Sequence, residues 1–344
     1  MIRIGIICPS EIAFRRFMPA LEQNKELEYV GVAYATKEEW FGKDATVDEE
    51  KAGQVINSEC TKAEKFEESY GGKVFFGYEN MLTSKEIDAV YIPLPPALHY
   101  KWAKMAFECG LHVFVEKPST TSLEDTTDLV EMAKKDRLAL HENYMFAFHS
   151  QLETIRKVVE SGEIGEARLY RIDFGFPKRS AGDFRYVKSL GGGALLDCGG
   201  YTLKYANMLL GGNAKVISAN VNYAKEYDVE VFGAGTMRND EGKVVQLAFG
   251  MDNDYRCSIN IWGSTGTLTS NRILTAPAGF EPTYIISKNG ESVETKMEAD
   301  DTFLKSMNRF VDCINDTEIR NKNYEELVKQ EKLVDEFVRL AGME

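Results

Sequence analysis

The sequence predicts an α/β protein of two domains, a doubly wound parallel sheet over residues 1–143 and an α+β domain with an open, mostly antiparallel sheet over 144–344. Three observations carry this. Near-continuous apolar runs alternate with helical periodicity as far as residue 143, the pattern of parallel strands covered on both faces. From about residue 150 the strands alternate apolar with polar residues, as in a sheet covered on one face. Finally, 344 residues with 44% hydrophobic side chains are too many for one ordinary core.

Ile2 to Ile7 form the first strand, and Ile12, Phe17, Met18 and Leu21 follow at helical spacing. Further strands, each buried on both faces, are predicted at Tyr29–Tyr34, Val74–Phe76, Ala89–Ile92, Leu111–Val115 and Leu138–His141. Between them, Tyr100, Ala103, Ala106 and Phe107 share one helical face, and "SLEDTTDLVEMAKK" opens on Ser122 with Asp125 three residues on, as a capping box does. Residues 36–72 are long and charged for a single crossover and hold either two helices or a surface excursion.

In the second domain a helix carries Leu152, Ile155, Val158 and Val159. Tyr170, Ile172 and Phe174 then alternate with Arg171 and Asp173, and the alternation recurs at Val245, Leu247, Phe249 and at Cys257, Ile259, Ile261. Shorter strands are predicted at Val216–Tyr223 and Tyr284–Ser287. Two amphipathic helices close the chain, through Phe303, Met307, Phe310, Ile314 and through Tyr324, Leu327, Val334, Phe337, Val338; they are expected to pack back towards the first domain. Leu247–Met251 and Ile259–Trp262 carry more large apolar residues than a free surface tolerates, so the open sheet face is expected to build a homodimer or homotetramer.

Composition excludes several partners. A formal charge of −13 repels a phosphate backbone, so no nucleic acid polymer is expected. No stretch approaches the ~20 apolar residues of a membrane span, and the N-terminus lacks a secretory pattern, so a cytoplasmic protein away from membranes is expected. Six cysteines without a C-x-x-C pair read as buried or half-buried thiols. The four histidines lack ligand spacing, and no metal site is expected.

The turn after the first strand, "CPSEIA", stands where a dinucleotide-binding fold has G-x-G-x-x-G/A. Cys8 and Ser10 occupy the two leading glycine positions and Ala13 keeps the third small one. Ser10 offers a hydroxyl and a backbone N–H to a phosphate, which makes a variant cofactor turn the reading rather than a lost one.

Two further stretches, "VYIPLPPALHYKWAKMAFECGLHVFVEKPST" and "GGGALLDCGGY", resemble the Gfo/Idh/MocA oxidoreductases, and the resemblance runs from residue 2 to the final helix. In that family a strand ends in a proline-bearing loop over the cofactor, the next ends in Glu-Lys-Pro, and the second domain supplies G-G-G-x-L-x-D-x-G-x-[H/Y]. The family's usual I-G-I-I-G-x-G-x-I-A falls on "IGIICPSEIA". The resemblance implies a Rossmann-like first domain binding NADP or NAD through Cys8, Pro9, Ser10, Glu11, Ile12, Ala35, Thr36, Lys37, Pro93, Leu94, Pro95, His99, Glu116 and Lys117. It implies a substrate site in the second domain, joined by Asn143, with Arg179, Arg185, Tyr186, Asp197 and Tyr201. Lys117, Tyr201 and Asp197 are the implied catalytic residues. Because Tyr201 replaces the histidine of many members, a Tyr-type member is implied, with Tyr201 as the proton donor and Lys117 as the cation that lowers its pKa. Asp197 either orients the substrate or caps the following helix.

The tip of the second strand, Tyr34-Ala35-Thr36-Lys37, has no carboxylate to hold a ribose 2′-OH, which favours NADP over NAD, although Glu38 and Glu39 follow at once. "YIPLPPALH", "ENYMFAFHSQ", "GDFRY" and "FGMDNDYRCSINIWGSTGTL" resemble the NDP-sugar 3-ketoreductase branch. Lys178, Arg179, Arg185 and Lys188 stand against Asp183 alone in "PKRSAGDFRYVKS", a local positive field suited to a diphosphate. The expected function is reduction of a keto-sugar nucleotide. The alternatives are a free-sugar or trans-dihydrodiol dehydrogenase and, in another class, a non-catalytic NAD(P)-binding regulator, which the eroded glycine turn favours and Lys117 with Tyr201 opposes.

Overall fold

The computed structural model describes residues 1–43, 46–180 and 182–343. They fall into two compact units, one of residues 1–120, 124–143 and 306–327, the other of residues 121–123, 144–305 and the chain from 328 on.

The first unit is built on six parallel strands, β1 (Ile2–Ile7), β2 (Leu27–Tyr34), β3 (Lys73–Phe76), β4 (Ala89–Ile92), β5 (His112–Val115) and β6 (Leu140–Glu142), in the order β3-β2-β1-β4-β5-β6. The order reverses between β1 and β4, where crossovers leave in opposite directions and open a crevice at the carboxyl ends of the strands. The helix after β1 makes wide π turns over Ala13–Phe17 and continues as α1 (Met18–Leu21). The charged stretch 36–72 resolves into two helices, α2 (Lys37–Phe41) and α3 (Glu49–Tyr70). A short helix α4 (Tyr78–Thr83), α5 (His99–Glu108) and α6 (Leu123–Asp136) complete the crossovers. β3 departs from the expected burial on both faces: it is an edge strand, and Phe76 is 52% exposed. Of the six cysteines, Cys109 is exposed rather than buried, because it ends α5 at the surface.

Parts of the last two helices, α9 (Thr302–Asn315) and α10 (Thr317–Ala341), belong to this unit from Ser306 to Leu327. They support β6. Tyr324 donates its hydroxyl to the Leu138 carbonyl, Asn323 Nδ2 donates to the Leu140 carbonyl, and the Phe310 ring meets Phe114 edge-on at 5.4 Å.

The second unit holds eight strands: β7 (Ala167–Gly175), β8 (Lys215–Tyr223), β9 (Glu230–Arg238), β10 (Val244–Gly250), β11 (Arg256–Gly263), β12 (Thr267–Asn271), β13 (Thr283–Lys288) and β14 (Glu291–Lys296). Their order is β14-β13-β12-β11-β7-β10-β9-β8, and among these only β7 and β10 pair in parallel. Helix α7 (Ser150–Glu160) precedes the sheet, and α8 (Gly200–Leu210) covers the inner face.

Strand alternation puts Ile172, Leu247, Phe249, Ile259 and Ile261 into this core with Leu203, Tyr205 and Ala206 of α8. Burial of each large side chain contributes about 1.5–3 kcal/mol. This corrects the expected assembly surface: the apolar residues of Leu247–Met251 and Ile259–Trp262 face inward, apart from Trp262, which is 62% exposed. The outer face is polar instead, and a concavity of about 610 Å³ on it is lined by Arg171, Asp173, Arg256, Ser258, Asn260 and Asn271 among others.

Half-buried His112 and buried His149 are held neutral. His112 Nδ1 accepts from Ala139 N at 2.9 Å, and burial, helped by the Arg320 cation, pushes it down to about 4. His149 Nδ1 accepts from Gln151 N at 3.1 Å and is also pushed down by burial. A folded pKa below the unfolded value means stability is complete above about pH 6.5 and is lost as the pH falls towards 4. The urea midpoint is therefore expected to drop across that window, and His112→Gln to remove about 2 kcal/mol of the loss while keeping an acceptor for Ala139. An unchanged pH dependence in that variant would refute the assignment.

Candidate functional site

In the first unit, the turn after β1 keeps a glycine-like backbone without the glycine. Cys8 has φ 83, in the left-handed region, and burial pushes its thiol up to about 12, so it stays protonated. Its amide donates to the Ala33 carbonyl at 2.9 Å. Ser10 is committed locally: its amide donates to the Cys8 carbonyl at 2.8 Å, and its Oγ accepts from Ala13 N at 3.2 Å. The amide expected to face a phosphate is thus used inside the turn. Pro9 is buried, Ile12 half-buried and Glu11 exposed, where it pairs with Arg15.

At the tip of β2, Ala35 is buried and Thr36 caps α2 by accepting from Glu39 N at 3.2 Å. The Glu39 carboxylate accepts from the amides of Thr36, Tyr78 and Glu79 at 2.8, 3.0 and 3.0 Å. Of the two carboxylates behind the strand tip Glu39 is therefore engaged by backbone, Glu38 is exposed, and Lys37 pairs with Glu49.

Pro93 and Leu94 are buried after β4, and Pro95 is half-buried. Both ring nitrogens of His99 lie against backbone carbonyls. It is wholly buried, with Nδ1 2.7 Å from the Pro118 carbonyl and Nε2 2.7 Å from the Leu94 carbonyl, so it ties the proline loop to the Glu-Lys-Pro segment. Burial dominates and pushes it down to about 4, against the pull of both carbonyls.

Behind Lys117 runs a buried polar chain. Glu116 Oε1 accepts from Tyr91 Oη and from Asn143 Nδ2, both at 2.7 Å. Asn143 Oδ1 accepts from Ser306 Oγ at 2.8 Å, and Ser306 Oγ is 2.8 Å from His141 Nε2. With its proton given to Asn143, Ser306 accepts from His141. Burial pushes the Glu116 carboxyl up, opposed by the bonds from Asn143 and Tyr91. Asn143, expected at the substrate, is wholly buried and serves this chain. Lys117 follows, half-buried, with a cis peptide to Pro118.

In the second unit the glycine-rich motif is explained by close approach. Gly191 is left-handed at φ 78 and ends a turn, while a Cβ on Gly193, at φ 122, would stand 2.5 Å from Glu230 Oε1. The helix then runs as π turns over Leu195–Gly199 and continues as α8. Tyr201, 7% exposed, lies on α8 in an aromatic surround. Its ring meets Tyr144 at 5.1 Å, Phe174 at 5.3 Å and Phe146 at 5.6 Å, and its hydroxyl is 3.9 Å from Met145 Sδ.

Asp197 Oδ2 accepts from Arg185 Nε at 2.6 Å, and Arg185 also pairs with Asp183 at 3.1 Å. Arg185 is therefore a holder of Asp197 and not an unengaged cation. Tyr186 is buried too: its hydroxyl accepts from Arg179 N at 2.9 Å, donates to the Met251 carbonyl at 3.2 Å, and its ring stacks on Tyr227 at 4.3 Å. The positive field expected of residues 177–189 is weaker than its composition, because Lys178 faces Glu226 and Arg185 faces two aspartates. Arg179 lies over the Phe176 ring, 5.0 Å from its centroid, and with Lys188 is exposed.

Sequence reasoning missed Tyr91, Glu230 and Ser306, and noted Glu39 without its role. That role was visible in a Thr-x-x-Glu capping box, and Glu230 as a carboxylate opening an apolar run. Nothing local marks Tyr91 or Ser306, which act through residues far away in sequence. Among the described residues no three His, Cys, Asp or Glu side chains gather to hold a metal ion, and no helix is long and apolar enough to cross a membrane.

The β3-β2-β1-β4-β5-β6 order, the left-handed turn after β1 and a half-buried lysine after β5 define a dinucleotide-binding protein. Residues 12–144 match the model of an oxidoreductase family with an NAD-binding Rossmann fold, and residues 152–269 match a GFO/IDH/MocA C-terminal domain. The chain belongs to the Gfo/Idh/MocA oxidoreductase family.

It is 33% identical to the dTDP-3,4-didehydro-2,6-dideoxy-alpha-D-glucose 3-reductase of Actinomadura kijaniata, over 97% of this chain and 94% of that one. It is also 33% identical to the like-named reductase of Saccharopolyspora spinosa, over 97% and 96%. The structure matches that of KijD10, a 3-ketoreductase from Actinomadura kijaniata in complex with NADP and TDP-benzene, with a TM-score of 0.86, 33% identity and 97% and 96% of the two chains covered.

Gly193→Ala is expected to destabilise the protein by about 2–3 kcal/mol, from a backbone conformation that L side chains avoid and a methyl driven into Glu230. Gly182→Ala, where nothing lies within 4 Å of the added Cβ, is the control. Equal denaturation midpoints for the two variants would contradict this reading of the motif.

Proposed function

We propose that this protein is a keto-sugar nucleotide reductase that uses NADPH to reduce the 3-keto group of a dTDP-linked deoxy sugar. The observation that carries it is 33% identity across 97% of the chain to reductases named for that reaction. The first unit's residues fit a dinucleotide: the turn at Cys8 holds the backbone conformation that lets a pyrophosphate approach, and the crevice between β1 and β4 lies beside it. Cys8 to Ile12 would hold the pyrophosphate, Ala35 to Lys37 the adenosine ribose, and Pro93 to Pro95 with Lys117 the nicotinamide half. The strand tip Tyr34 to Lys37 carries no carboxylate to hold a ribose 2′-OH, and the similar 3-ketoreductase structure holds NADP, which supports NADP over NAD.

When bound, the reduced nicotinamide supplies a hydride. Tyr201 gives the proton that the resulting alkoxide needs, and Lys117 contributes the positive charge that favours loss of that phenolic proton. Asp197, set by Arg185, orients a sugar hydroxyl, and the exposed Arg179 and Lys188 attract the diphosphate. We place the enzyme in the cytoplasm, consistent with six cysteines that form no disulfide.

The test is NADPH oxidation with dTDP-3,4-didehydro-2,6-dideoxy-α-D-glucose, run beside D-xylose with NADP, since a D-xylose 1-dehydrogenase is 26% identical over 85% of this chain. Turnover of the sugar nucleotide is expected. Turnover of xylose alone would move the reading to a free-sugar dehydrogenase, and tight coenzyme binding without either reaction to a regulator. Tyr201→Phe should lower kcat about 10²-fold or more with NADPH affinity nearly unchanged, and Lys117→Ala should lower kcat and alter its pH profile. NADPH should bind more tightly than NADH at one ionic strength.

We also propose a homodimer through the outer face of the second unit's sheet, where exposed Trp262 stands on a surface carrying both charges, Arg171 and Arg256 with Asp173. Sedimentation should show a dimer at micromolar concentration that Trp262→Glu dissociates. A monomer in the unmodified protein would end this proposal.

A further inference from the structure

We propose that Glu230 is a positioning residue for Tyr201, fixing the helix that carries Asp197 and Tyr201 against the sheet. The inference rests on the reductase reading for its kinetic consequence and on geometry for the rest. The helix begins without a side-chain cap of its own: Gly193, whose carbonyl accepts from Asp197 N, has no side chain to offer, and Ala194 after it already has helical backbone angles. The missing acceptor comes from the start of β9. Glu230 Oε1 accepts from Leu195 N at 2.8 Å, and the carboxylate lies against Gly193, where a Cβ would be 2.5 and 2.8 Å from its two oxygens.

On the other side, Gly193 N donates to the Arg185 carbonyl at 2.9 Å, and the Arg185 side chain holds Asp197. The Gly193 carbonyl accepts from Asp197 N at 3.1 Å. Gly193 is thus gripped between Glu230 and Arg185, and both grips reach the residues expected to meet the substrate.

A local cap would need a side chain on Gly193, which φ 122 disfavours, so the acceptor comes from another element. Glu230 is 5% exposed, and burial pushes its carboxyl up, opposed by the bond from Leu195 and by Lys188. A local cap ends a helix; only a cap from another element fixes where the helix lies. Tyr201 is six residues beyond Leu195, under two turns, so a shift at the start reaches its hydroxyl almost undamped. Displacements of about 1 Å in a reacting group can cost about 10²-fold in rate.

The experiment compares Glu230→Ala and Glu230→Gln, with kcat, KM, NADPH affinity, thermal midpoint and amide hydrogen exchange of residues 193–201 as readouts. Glu230→Ala should lower kcat about tenfold or more, leave NADPH affinity within about twofold and speed exchange in that segment. Glu230→Gln, whose amide oxygen still accepts from Leu195, should return kcat to within about threefold. A lowered thermal midpoint with unchanged kcat in Glu230→Ala would make Glu230 a cap and not a positioner.

The proposal is overturned if Glu230→Ala turns over normally while folded, or if Glu230→Gln fails to restore kcat. Should the unmodified protein show no reductase activity, the reductase reading fails by itself, and exchange decides for Glu230: unchanged protection of residues 193–201 in Glu230→Ala would refute it.

Discussion

The second unit depends on how closely one helix can approach one sheet. The Tyr201 helix meets the sheet where side chains have been removed from both partners. A Cβ on Gly199 would touch the Phe249 ring at 3.0 Å, and one on Gly233 of β9 would stand 2.4 Å from the same ring. Phe249 fills the room these glycines leave, and Gly200 makes way for the Tyr144 hydroxyl in the same manner. The close fit presses Tyr201 among Tyr144, Phe146 and Phe174, away from bulk water.

The first unit solves a related problem with polar groups. Glu116 is buried beside the segment that carries Lys117, and a lone buried carboxylate is costly. Tyr91 from β4 and Asn143 after β6 supply donors, and Ser306 from α9 in turn holds Asn143. Three strands and a helix are thereby joined through a few hydrogen bonds. Removing one member would strand the others, so the seam tolerates coordinated change better than single change.

The fold was legible wherever hydrophobic period and burial agree. β4 was readable to the residue, and the period change near 143 marked the end of the parallel sheet, because strands buried on two faces and on one face have different patterns. β9 was not legible, since Gly233 and Gly235 occupy inward positions whose volume is supplied by Phe249 and Phe337. β14 was not either: all its side chains are exposed, so it has no apolar pattern. At the site, the motif residues Lys117, Asp197 and Tyr201 were visible, but not the company they keep. For Arg185 and Tyr186, composition shows a charge or a hydroxyl without showing that Asp197 or a backbone carbonyl holds it.

Residues 306–327 belong to the first unit although they lie near the other end of the chain. On a ribosome, the nucleotide-binding half would emerge early and yet remain unfinished until nearly everything else has been made. Until then Phe114 lacks Phe310, β6 lacks Asn323 and Tyr324, and Asn143 lacks Ser306. Contacts between such distant parts of a chain are slow to form, because a long loop must close before they can repay its entropy. The early half must therefore wait with an open flank along β6 until the last helices arrive.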